Sequence, residues 1–469
     1  MELKILKNSN PANDLACSRN KAFGMIASKD PGRACFTSSL KDIKRAVIIN
    51  AAPRSGSSLL FALLKKIPQF YSPSAECVPF YKLAGLSADN FGSDSIPEAP
   101  LITQELLFGL SRDILADLSV SSAMGDIFND EKLLEQYIDD LVLRFSLQWP
   151  QVDFSYDLFS RLARDAFTAY RKAHKEFHKE GFYLELFGCL MQAYPQINPY
   201  YYDIAPALIA AKFPGLKLPC APAHQEPMIE EAPFVLLSPA QKARAVDLAE
   251  KTLLLKSSVD AYRMPFIRSL MPQADIKIIY LTRNPAASIN GLYDGWLHRG
   301  FFSYNMEPLL KKYFKGSARM HLRIAGYSDK YEWGKWWWSY DLPPGWQEYV
   351  TGKLEEVCAF QWVSANTAIS GYLKASGKQY CLARYEKIIE SPESRRKEIS
   401  MVLDFIGADH SALNQMGLDK LPTIQATEAP RVFRWKDRRG IILPVLEEPK
   451  VSLIAKQLGY RKDNFKEWF

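Results

Sequence analysis

Short aliphatic runs punctuate long stretches of helical periodicity along this chain. Four of the runs, Ala46-Val-Ile-Ile-Asn50, Thr252-Leu-Leu-Leu-Lys256, Ile276-Lys-Ile-Ile-Tyr-Leu281 and Gln379-Tyr-Cys-Leu-Ala383, have the length and apolarity of strands buried on both faces. With helical segments between most of them, they predict an α/β fold, a parallel sheet flanked by helices. The core begins near Arg45, and a further short strand or turn is expected at 72–78. Residues 1–44, polar and without a clear period, read as an N-terminal arm or peripheral helix. From about 90 to 245, amphipathic stretches such as Glu131-Lys-Leu-Leu-Glu-Gln-Tyr-Ile and Leu158-Phe-Ser-Arg-Leu-Ala read as a helical cap inserted into one domain spanning 45–469. Between about 301 and 348, Tyr331, Trp333, Trp336, Trp337, Trp338 and Trp346 form either a lid over a ligand or a packed subdomain.

The formal net charge of +7 is small for 469 residues, and no basic tract resembles a nucleic-acid arm, so the excess points to a small polyanion. Seven scattered cysteines, odd in number and without C-x-x-C spacing, argue against a disulfide framework or a zinc site and for a reducing compartment. With no signal-peptide core at the N-terminus and no run of about eighteen apolar residues, the chain reads as cytoplasmic, without a transmembrane segment.

Chemistry concentrates where the first strand meets Ala51-Ala-Pro-Arg-Ser-Gly-Ser-Ser-Leu-Leu60. A strand, a turn of small residues and a helix start make an anion cradle, because backbone amides and the helix dipole converge on one spot. Arg54, Ser55, Gly56, Ser57, Ser58 and Leu59 form its shell. The lysine of the G-x-x-x-x-G-K-[ST] loop is missing, and the guanidinium of Arg54 suits a phosphate ester or sulfate held without a metal. A second basic residue, Arg283, follows the 276–281 strand directly before Asn284-Pro285, placing it at the sheet edge where open parallel sheets bind ligands.

Together these segments resemble the P-loop sulfotransferases that use 3′-phosphoadenosine 5′-phosphosulfate. Pro53-Arg-Ser-Gly-Ser-Ser-Leu59 resembles their 5′-phosphosulfate loop, and Leu281-Thr-Arg-Asn-Pro285 their 3′-phosphate signature. Leu255-Lys-Ser-Ser258 with Arg263-Met-Pro-Phe-Ile, and Ala383-Arg-Tyr-Glu-Lys-Ile-Ile-Glu-Ser-Pro392, resemble the elements before and after that signature. The resemblance covers the core and leaves out the cap and the aromatic segment. It implies a P-loop-type sheet and transfer of a sulfuryl group without a metal; the long helical insertion and the Trp-rich segment suggest an enclosed, partly apolar pocket, hence a hydroxyl or amine of a small-molecule, lipid or carrier-bound acceptor.

By the same resemblance Arg54 and Lys256 stabilise the leaving phosphate oxygen, and Glu76, 22 positions after Arg54, is the catalytic base, with His224 and His298 as alternatives. Where the family carries a serine after the 3′-phosphate arginine this chain has Gly291, so Ser288 or the amide of Asn290 is expected to substitute. Arg434-Trp-Lys-Asp-Arg-Arg-Gly440 supplies Arg438, Arg439 and Gly440 as the late basic loop, with Arg431 in reserve. His174 and His178, i and i+4, read as a solvated helix face rather than a metal pair. The competing functions are a catalytically inactive nucleotide-binding or interaction protein and a divergent phosphoryl-transfer enzyme.

Overall fold

The computed structural model describes residues 11–96, 103–121, 126–219, 228–298, 302–314, 321–422, 424, 431–461 and 468. The chain resolves into two compact units. One takes residues up to Ser39, Ser72–Ala84 and Glu105–Asp247; the other takes Leu40–Tyr71, Gly85–Gln104 and Leu248 onward.

The first unit is helical. Pro11–Lys29 lies within the segment expected to be an arm or peripheral helix, and it buries Leu15, Phe23 and Ile26. Its longest later helices are Glu131–Gln148, Tyr156–Ala173 and Lys179–Ala193, the first two started by Asp130 and Ser155, whose side chains accept from Leu133 N and Leu158 N. Phe145 gathers Phe159, Tyr183, Phe187 and Tyr202 around it. Beside this aromatic core runs a buried ion network. Arg33 meets Asp139 at 2.8 Å, Arg144 meets Glu230 at 2.6 Å, and Lys242 meets Asp140 at 3.0 Å.

Among the described residues the second unit holds five parallel-paired strands, all but the last residue of the second lying within it: β1 (Arg45–Asn50), β2 (Phe70–Ser72), β3 (Thr252–Lys256), β4 (Asp275–Thr282) and β5 (Tyr380–Arg384). Their order is β2-β3-β1-β4-β5. The four long apolar runs became strands, as their hydrophobicity requires. The short one lies at Phe70–Ser72, just ahead of most of the 72–78 segment expected to hold it. Alternate residues of the strands, Val47 and Ile49, Ile279 and Leu281, Cys381 and Ala383, share a core with helix α1 (Ser57–Leu64) and with Ile399, Val402 and Leu403. Tyr280, pointing the other way, hydrogen-bonds Asn366 of the helix Leu354–Ser376 at 2.8 Å. The sheet is therefore covered on both faces.

In the aromatic segment Trp337–Trp338 pairs antiparallel with Tyr304–Asn305. Trp337, Trp338 and Trp346 are buried, and Trp346 Nε1 donates to Gly92 O at 2.8 Å. Nearby, Arg263 meets Asp94 at 2.6 Å, both fully buried, while Tyr304 also donates to Asp94 at 2.6 Å. Among the described residues no helix is long and apolar enough to cross a membrane.

Candidate functional site

Strand register builds the site. Ile49 lies level with Lys256, Asn50 with Tyr280, and Thr282 with Arg384, so β1, β3, β4 and β5 end at one edge of the second unit. Residues at or just past these strand ends supply the chemistry.

After β1, the chain turns through two left-handed residues, Arg54 at φ 63° and Gly56 at φ 89°, before α1 begins at Ser57. A left-handed arginine costs about 1–2 kcal/mol, a strain of the kind that collects at ligand clamps. Gly56 is required twice. Its φ is one that L side chains avoid, and a Cβ there would fall 2.1 Å from the ring of Tyr385, which follows β5. Ser55 and Ser57 are buried, Ser58 and Arg54 half-buried. From the end of β3, buried Lys256 donates to Ser58 Oγ at 2.9 Å.

Arg283, after β4, closes the cluster. Its Nη1 donates to Arg54 O at 2.9 Å, and its guanidinium carbon sits 4.7 Å from the Tyr385 ring centroid. Burial lowers its pKa from the ordinary arginine range, and Arg54 and Arg434 push the same way against Tyr385 and Glu386. Its Nε is buried without a hydrogen-bond partner among the described residues. Cations crowded in this way create a site that an anion would relax.

The next helix, α2 (Pro285–Leu297), is capped by Asn284, whose side chain accepts from Ala287 N at 2.8 Å. Asn284 in turn donates through N and Nδ2 to Glu386 Oε1 at 2.7 and 2.8 Å, while Tyr460 donates to Glu386 Oε2 at 3.1 Å. On α2, Gly291 lies against the cluster, since a Cβ there would come 3.3 Å from Arg54 Cβ and 3.8 Å from Arg283 Nη1. Ser288 is fully buried, and its hydroxyl donates to Arg283 O at 3.5 Å. Asn290 accepts from Arg438 Nη1 at 2.8 Å.

Arg54, Ser58, Lys256, Arg283 and, through α2, Arg438 are thus brought together. Arg439 and Gly440 are exposed in the first turn of the helix Arg439–Leu446, and Arg431 pairs with Asp437 on the surface. Glu76 stands in the first unit, just before the helix Val78–Leu83. His298 is exposed at the end of α2, and His224 lies outside the described residues. His174 stacks on Tyr170 at 4.2 Å; among the described residues no group of three or more His, Cys, Asp or Glu is placed to hold a metal ion. Sequence reasoning missed Arg434 and its partner Asp294, whose only signal was a charge pair split between α2 and the late basic loop.

No family model and no curated protein matches the chain. Two solved structures align along most of its length. The sulfotransferase domain from the Synechococcus PCC 7002 olefin synthase aligns with 90% of this chain and 96% of its own, at 15% identity and TM-score 0.36. The sulfotransferase domain from the curacin biosynthetic pathway aligns with 89% and 99%, at 13% identity and TM-score 0.32.

Proposed function

We propose that this chain is a sulfotransferase that moves a sulfuryl group from 3′-phosphoadenosine 5′-phosphosulfate to a hydroxyl or amine of a small-molecule, lipid or carrier-bound acceptor. The observation that carries the reading is the contact of Arg283 with Arg54 O, which joins the two motifs proposed to hold the two ends of one doubly anionic nucleotide. The loop 53–59 would take the 5′-phosphosulfate, with Arg54, Lys256 and the hydroxyl of Ser58 as donors. Arg283, with Arg438 and Asn290 beside it, would take the 3′-phosphate.

In the transfer, the acceptor oxygen or nitrogen bonds to sulfur as the bond from sulfur to the bridging phosphate oxygen breaks. Negative charge grows on that oxygen, where Arg54 and Lys256 would stabilise it without a metal. The acceptor's proton leaves to a base, a role the sequence resemblance gives to Glu76. The nucleotide departs as adenosine 3′,5′-bisphosphate.

The test is a transfer assay read by mass spectrometry beside calorimetric nucleotide binding. Arg54→Ala is expected to lower transfer by about a hundredfold or more and to weaken binding. Glu76→Gln is expected to bind nucleotide normally and turn over about a hundredfold more slowly. Chelator is expected to leave the rate unchanged. Strict Mg²⁺ dependence would favour phosphoryl transfer, and nucleotide binding without transfer to any acceptor screened would favour an inactive binding protein.

A further inference from the structure

The late basic segment reaches α2 through one carboxylate. Asp294 is 3% exposed as a side chain, its Oδ2 pairs with Arg434 Nη2, and its Oδ1 lies 2.5 Å from Arg438 Nη1. Asn290, one turn earlier on α2, donates to Asp294 Oδ2 at 3.4 Å and accepts from Arg438. Between these two positions lies Gly291, the residue pressed against Arg54 and Arg283. One turn of α2 therefore touches both the anion loop and the two late arginines.

We propose that Asp294 is a positioning residue, holding Arg434 and Arg438 where they complete the anion site beside Arg283. This rests on the donor reading above and extends it to the residue that places the last two cations. Among the described residues both polar contacts of Arg438 run through Nη1, and its side chain is 29% exposed, which leaves the Nη2 and Nε donors for a ligand. Arg434, 17% exposed, is near enough to Arg283 to act on its charge. A plain counter-ion would do the opposite of a positioning residue. It would neutralise the arginines, so that its removal raised the affinity for anions.

That opposition makes the experiment decisive. Calorimetric titration of the full-length protein with adenosine 3′,5′-bisphosphate and with adenosine 5′-monophosphate gives the preference conferred by the second phosphate. Asp294→Asn is expected to cut that preference about tenfold, the loss of a charge-assisted bidentate contact, while the monophosphate affinity stays within about twofold. Asp294→Glu, which keeps the charge, is expected to recover most of it. Arg438→Ala, a change at a partly exposed side chain, is expected to lose the preference by itself, and Asp294→Asn added to Arg434→Ala and Arg438→Ala together is expected to cost nothing further. An unchanged or increased preference in Asp294→Asn, or a retained preference in Arg438→Ala, overturns the positioning role alone. A wild-type protein that binds neither nucleotide overturns the donor reading, and this inference with it.

Discussion

At Gly291 the absence of a side chain is structural. A Cβ there would sit 3.3 Å from Arg54 Cβ, tight enough to push the arginine whose backbone carbonyl Arg283 holds. Under the proposed function, Gly291→Ser, which introduces the residue type of the sulfotransferase pattern the sequence resembles, is therefore expected to weaken binding of the bisphosphate nucleotide severalfold rather than improve it, as calorimetry would show. Gly56→Ala adds a steric clash with Tyr385 to a strained φ. Its unfolding free energy from denaturant titration is expected to fall by about 2 kcal/mol or more. Arg54 and Arg283 could be singled out in the sequence because each sits in a contiguous motif, and the structure brings the two into contact. Arg434 and Asp294 could not. Their meeting depends on how the chain after 430 returns to α2, and nothing in the local pattern of either segment encodes that return.

The strands were readable for a thermodynamic reason. Strands buried on both faces are mostly apolar, so 45–50, 252–256, 275–282 and 380–384 declare themselves to within about two residues, even with Lys277 half-buried inside one and Tyr380 exposed at the start of another. The three-residue strand Phe70–Ser72 lacks the length to do so, and its place comes from pairing with β3 at Phe70↔Thr252 and Tyr71↔Leu253. At this scale the join between β5 and α2 matters most. Glu386 accepts from both the backbone and the side chain of Asn284, and each of these groups is buried. Glu386→Ala removes the buried acceptor that these donors share and is expected to cost about 1–3 kcal/mol in chemical denaturation. Under the proposed function it should also weaken nucleotide binding, because the turn that carries Arg283 loses its brace.

Across the molecule, buried carboxyls set the response to pH. Burial, eased by Tyr262 and reinforced by Asp94, raises the Asp341 carboxyl to about 8; burial raises Asp139 to about 6 against the pull of Arg33. In each case the folded state keeps a proton that the unfolded chain releases near pH 4, so stability falls as pH rises from about 4 toward 6 for Asp139 and toward 8 for Asp341. One such proton gives a slope of about 1.4 kcal/mol per pH unit within its window. Thermal melts from pH 5 to 9 are expected to show declining midpoints, and Asp341→Asn to flatten the part of the decline between 6 and 8. The contact between Gly56 and the Tyr385 ring reaches further than any one variant. In related chains, a side chain at the loop position and a full aromatic ring after the last strand should be mutually exclusive. Drift at these two sites should therefore be correlated, each change waiting on a compensating one far away in the gene.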